Sequence, residues 1–205
     1  MKPELQLMNI YKAEADFNLN WGLGSSSTLI SLLSQWSEVD PYELLEDSFG
    51  GSAYDIACAT ATMPIVYQIK EKERLVEEVL LHKNVSNNFL FVYLGKKQNS
   101  RNEIKRYAQT SITSEHILEM NKIVDIAVNS ETIEEFEQLI DQAENLLAPI
   151  LGKEKLKELI FADYKYSIKS LGAWGGDFFL ATYRDLDEAK NYFKNKGLDT
   201  MFTFE

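Results

Sequence analysis

A phosphate-holding turn needs small residues, unpaired backbone N–H groups and hydroxyls, and Gly22-Leu23-Gly24-Ser25-Ser26-Ser27 supplies all three. Glycines let the main chain approach an anion without a Cβ in the way. The turn runs straight into an apolar-periodic segment, so it sits at a helix start, where first-turn N–H groups lack partners and the helix dipole is positive. A serine hydroxyl there can join the shell of a phosphate-bound Mg²⁺. The same wording also fits an ordinary Gly/Ser turn with a serine cap.

A second candidate is Asp55, which follows Gly50-Gly51-Ser52-Ala53 at another helix start. A carboxylate in that place can orient a substrate hydroxyl and accept its proton, although acidic residues favour first helical turns in any case. The third candidate is Lys169-Ser170-Leu171-Gly172-Ala173-Trp174-Gly175-Gly176-Asp177. Its three glycines between apolar strands predict close approach of a ligand or another backbone, or simply a turn. The basic loop Lys96-Lys97-Gln98-Asn99-Ser100-Arg101 could receive an anionic group or be a solvated surface.

These residues need elements to position them. Leu5–Leu19 reads as a strand ending at Asn18 and Asn20. Leu29, Leu32, Leu33 and Trp36 recur at i, i+3, i+4, i+7 and predict one buried helix face. Asp40-Pro41-Tyr42-Glu43 predicts a capped helix start with a capping box, stopping near Phe49-Gly50-Gly51. Tyr54–Ala59 is expected helical, and strands are expected at Ile65–Ile69 and Phe89–Leu94. Helices follow after Ser114, after Ser130 or Thr132 (closing near Pro149 and Gly152), and over Lys153–Ala162. Ser167–Ser170 and Phe178–Tyr183 read as strands, Leu186–Lys196 as a helix stopped by Gly197, and Thr200–Phe204 as an edge strand. Strands and helices mix without strict alternation, which favours an α+β fold.

Composition narrows the function classes. The 205 residues are 45% hydrophobic and 26% charged, which suits one large domain or two small ones. With 21 Lys plus Arg against 32 Asp plus Glu, the formal charge is -11. That argues against nucleic-acid or anionic-membrane binding, which need concentrated positive charge. Cys58 is the one cysteine, and His82 and His116 stand far apart. No intrachain disulfide or zinc site is expected, and a reducing cytoplasm is the simplest setting. The sequence shows no apolar run of membrane-spanning length and no signal-peptide core.

Taken together and in order, GLGSSS, GGSAYDIACA and KSLGAWGGD resemble the second motif, the aspartate segment and the third motif of the GHMP kinases. Tyr54-Asp55-Ile56-Ala57 and GAWGGD are most similar to the GYDIA-type subfamily, which is related to phosphomevalonate and mevalonate kinases. The resemblance runs from about residue 14 to the C-terminus. It implies a partial ribosomal-S5-domain-2-like N-terminal part over 1–85 and a ferredoxin-like α/β C-terminal domain over 86–205. It also implies an ATP- and Mg²⁺-dependent kinase of a small anionic metabolite.

By that resemblance Gly22, Leu23, Gly24, Ser25, Ser26 and Ser27 hold the ATP phosphates, with Ser26 the Mg²⁺ contact. Gly172, Ala173, Gly175 and Gly176 shape the cleft beside them. Asp55 is the base or orienting carboxylate, and Ser52, Lys97, Ser100 and Arg101 face the substrate. The family's opening Gly-Lys segment is not represented, and with it goes the lysine that commonly pairs with the aspartate. A catalytically dead ligand- or partner-binding relative is the alternative. A homodimer covering exposed sheet surface is a further expectation. Ala53 and Trp174 stand where glycine is usual in the family, Trp174 being shared with the subfamily.

Overall fold

Helix α1 (Ser25–Ser37) begins where the Gly/Ser turn ends. The computed structural model describes residues 12–48, 51–71, 73–96, 107, 110–172, 174 and 176–204. They fall into two units, Met1–Leu80 and Leu81–Glu205. The architecture is α+β, with a two-stranded sheet in the first unit and a four-stranded sheet in the second.

In the first unit α1 is followed by α2 (Pro41–Glu46) and α3 (Tyr54–Thr60). Asp40 caps α2 as expected, its carboxylate accepting from the N–H groups of Tyr42 and Glu43 at 2.7 and 3.2 Å. Ile30, Leu45, Ala53 and Ile56 bring the three helices together in one small cluster. β1 (Ile65–Lys70) and β2 (Glu73–Glu78) make an antiparallel hairpin in which Lys70 pairs with Glu73. β2 was not expected. Its turn carries Glu71 at φ 50°, where hairpins usually signal themselves with glycine or asparagine.

Two expectations fail in this unit. Among the described residues 12–19 there is no strand. Instead Asn18 closes a turn, its carbonyl accepting from Trp21 N–H and its Oδ1 from Asn20 N–H, both at 2.9 Å. A strand needs a hydrogen-bonded neighbour, and none of the described strands pairs with this stretch. The second failure concerns which face of α1 is buried. Ser27, Ile30, Ser31 and Ser34 face inward, while Leu29, Leu32, Leu33 and Trp36 are 44–48% exposed. The small serines fit against neighbouring helices because their hydroxyls are satisfied within the chain, Ser34 Oγ donating to Val39 O at 2.7 Å.

The second unit opens with the short helix α4 (Lys83–Ser86), capped by His82, and strand β3 (Phe89–Tyr93). Then come α5 (Ser114–Ala127), α6 (Ile133–Leu151) and α7 (Leu156–Ile160). Strands β4 (Ile168–Ser170) and β5 (Phe178–Thr182), helix α8 (Leu186–Asn195) and strand β6 (Met201–Thr203) complete it. α5 starts one residue after its true cap: Thr113 and His116 form the capping box. The sheet runs β4-β5-β3-β6, every pair antiparallel. That is the ferredoxin-like strand order.

Alternate residues of β3 and β5 join different clusters, which is why these strands read as continuous apolar runs. Leu90, Val92, Phe179 and Ala181 pack with Phe161, Ala189 and Phe193. Phe89 and Leu180 pack with Ile133 and Ile140 of α6. α5 adds Ile123 against Leu139 and Ala143. α7 is shorter than expected because Gly152, left-handed at φ 60°, ends α6 and Lys153 N–H is spent on Ala148 O at 3.0 Å.

Candidate functional site

The Gly/Ser turn enters α1 through a left-handed glycine. Gly24 is the N-cap of α1 in the left-handed region, φ 70° and ψ 33°, and no side chain caps the helix. A Cβ on Gly24 would lie 2.9 Å from Ser27 Oγ, so both backbone angle and space call for glycine. Ser27 is buried, and its hydroxyl donates to Gly24 O at 2.7 Å. It therefore shapes the turn and does not offer its proton outward. Gly22, Leu23 and Ser26 are exposed, and Ser25 is half-buried. The helix start thus has no side-chain cap, and Ser26 is the exposed serine of its first turn.

Asp55 lies in the same unit, in the first turn of α3. Ile56 beside it packs with Ile30 of α1, so one core cluster positions the aspartate helix against the turn helix. Asp55 is open to solvent on one side, yet burial of its other side raises its carboxyl pKa, opposed by a hydrogen bond from Tyr54. Burial, followed by the Asp55 charge, pushes the Tyr54 hydroxyl up to about 12. The same two causes raise the Cys58 thiol. Ser52 is exposed, and its carbonyl accepts from Tyr67 OH at 2.6 Å. Tyr67, on β1, thus ties down the loop before α3. Ala53 caps α3 at φ 67°, the conformation glycine would take without strain.

The third motif belongs to the second unit, between β4 and β5. Gly172 is left-handed at φ 57°, Trp174 at φ 53° and Asp177 at φ 54°. Trp174 is buried and its carbonyl accepts from Lys153 Nζ at 2.8 Å. Gly176 is buried as well. Ala173 and Gly175, together with Lys97, Ser100 and Arg101, lie outside the described residues.

Solved structures similar to this one include L. major mevalonate kinase in complex with R-mevalonate (TM-score 0.64, 14% identity), the Lin0012 protein from Listeria innocua (0.68, 20%) and a mevalonate kinase (0.61, 18%). They cover 88%, 90% and 91% of this chain. The chain has a GHMP-kinase-like fold. It spans 64–66% of the length of those structures, so the fold is present in part. No family model matches the sequence, and no curated protein does.

Within this GHMP-kinase-like fold the first unit holds Gly22–Ser27, Ser52 and Asp55, and the second holds Gly172 and Gly176. Among the described residues no group of three His, Cys, Asp or Glu side chains could hold a metal ion. The exposed Ser26 hydroxyl is nevertheless a hard oxygen donor, which suits Mg²⁺, since that ion takes few protein ligands and completes its shell with phosphate and water. Three residues escaped the sequence reading: Tyr67, Lys153 and Glu144. The last, 2% exposed on α6, accepts from Ser170 N–H and Oγ and from Lys169 Nζ. Among the described residues no helix is long and apolar enough to cross a membrane.

Proposed function

We propose that this chain is the phosphate-binding and catalytic part of an ATP-dependent kinase. Its substrate would be a small anionic metabolite of the mevalonate or phosphomevalonate type, carrying the accepting hydroxyl or phosphate. The observation that supports this most is the uncapped start of α1, with Gly24 left-handed and Ser26 facing out, in the same small core as the Asp55 helix. Gly22–Ser27 would bind the nucleotide phosphates through backbone N–H groups, and Ser26 would lend its hydroxyl to Mg²⁺. Bound Mg²⁺ supplies neutralisation of charge on the transferring phosphoryl group. Asp55 would orient the attacking oxygen and take its proton. Phosphoryl transfer depends mainly on positioning and charge stabilisation, so such a sparse set suffices. A cytoplasmic setting belongs to the same proposal.

A second reading, a ligand-binding protein without transfer, has one observation in its favour. Among the described residues, the Asp55 carboxyl is acted on by burial and by a hydrogen bond from Tyr54, and by no cation. A transfer assay with Mg²⁺-ATP and mevalonate or phosphomevalonate separates the two readings. Asp55→Asn should lower turnover by about 10²–10⁴-fold and leave nucleotide affinity nearly unchanged. Because the Asp55 pKa is raised, wild-type turnover should fall on acidification at a pH above that of an ordinary aspartate. Equal loss of transfer and affinity in Asp55→Asn would make Asp55 structural. Absence of transfer despite nucleotide binding would favour the second reading.

A further inference from the structure

The helix that carries Asp55 turns on a single residue. Ala53, its N-cap, holds φ 67° and ψ 9°, and no side chain caps the helix. An L-residue keeps that backbone only where its surroundings over-determine it. On one side of the Ala53 Cα the constraints come from the helix and the core. Ala53 is buried with Ile30, Leu45 and Ile56, and its carbonyl accepts from Ile56 and Ala57 N–H at 3.1 and 3.4 Å.

On the other side lies the peptide plane that joins Ser52 to Ala53, and φ of Ala53 is the rotation between the two sides. The Tyr67 hydroxyl donates to Ser52 O at 2.6 Å, so it pins that plane. Asp55 follows two residues later, in the first turn of α3. Tyr67 is itself held. It is half-buried on β1, opposite Val76 of β2. Arg74, also on β2, pairs with Glu46 of α2 and lies 4.8 Å over the ring of Tyr42 on the same helix. Glu46 foremost, and Tyr67 with it, raise the pKa of the Arg74 guanidinium. Arg74 thus joins the hairpin to α2, and Tyr67 joins it to the start of α3. All of these residues belong to the first unit, as does the Gly/Ser turn.

We propose that Tyr67 is a positioning residue for Asp55. Through Ser52 O it fixes the backbone turn at Ala53 and with it the place of the carboxylate, while Arg74 anchors the hairpin that carries it. The catalytic part of this rests on the kinase reading; the tether does not.

The test compares the full chain as wild type, Tyr67→Phe and Arg74→Gln. Tyr67→Phe keeps the ring and removes only the donor, so the fold should hold. Amide exchange over residues 53–58 should be about three- to tenfold faster in Tyr67→Phe, the equivalent of one neutral hydrogen bond. Exchange in β3 should be unchanged. The Asp55 carboxyl, followed by NMR, should titrate closer to an ordinary aspartate, because the burial that raises its pKa depends on where α3 starts. In the transfer assay kcat should fall about tenfold, with the KM for Mg²⁺-ATP unchanged. Arg74→Gln should show the same changes to a smaller extent, and wild-type behaviour there overturns the anchor. Unchanged exchange in Tyr67→Phe overturns the tether, whatever the transfer assay gives. Faster exchange with an unchanged Asp55 titration shows that the tether does not reach the carboxylate, and overturns the positioning role. Unchanged kcat, or equal losses of kcat and nucleotide affinity, overturns it too. A wild-type chain without transfer removes the kinase reading and the catalytic part, while exchange and the Asp55 titration still judge the tether.

Discussion

The second unit encloses Phe161, Phe179 and Phe193 completely, within a cluster that spans β3, β5, α7 and α8. The first unit gathers Ile30, Leu45, Ala53 and Ile56, and leaves the leucines of α1 and Ile69, Leu75 and Val76 of its hairpin exposed. The thinner unit bears the Gly/Ser turn and Asp55. The thicker one bears the third motif, between β4 and β5. The contrast shows that the turn owes its shape to local devices more than to deep burial. Those devices are the left-handed Gly24 and the Ser27 hydroxyl on Gly24 O, while Tyr67 OH on Ser52 O ties down the loop before α3 in the same way.

Substitutions can sharpen or break that contrast. Phe179→Ala empties the centre of the larger core and should cost about 3–5 kcal/mol, seen as a lower urea midpoint for the second unit. Ala53→Gly should stabilise the chain by about 1 kcal/mol, because glycine takes φ 67° without the Cβ penalty. A raised thermal midpoint checks it, and a lowered one would show that the methyl group's packing in the Ile30 cluster outweighs the strain. Leu33→Ala should change stability by no more than about 0.5 kcal/mol, as Leu33 is already 44% exposed. A cost comparable to that of Phe179→Ala would end the contrast, since α1's outer face would then be part of a core.

Much of this was legible in the residues, and the exceptions have physical causes. Asp40-Pro41 marks a helix start by capping chemistry alone, and the apolar runs of β3 and β5 mark strands covered on both faces. The α1 stripe is one face, as its spacing predicts, but that face is the exposed one. Periodicity says which residues lie together, and the neighbouring helices decide which side they cover. Trp174 and Ala53 stood out as replacing glycine, and both adopt the left-handed backbone that glycine favours. Glu144, Lys153 and Tyr67 left no local mark because their partners Ser170, Trp174 and Ser52 are 26, 21 and 15 residues away.

The most direct test of the central claim, that the start of α1 binds nucleotide phosphate, is calorimetric titration of the full chain with Mg²⁺-ATP, beside Gly24→Ala. Gly24→Ala forces a Cβ against Ser27 Oγ and strains a left-handed residue, so it should reshape the turn. The account predicts saturable binding by the wild type and at least tenfold weaker binding by Gly24→Ala, with the fold retained by circular dichroism. Equal affinity in the two proteins, or no binding by the wild type, would contradict it.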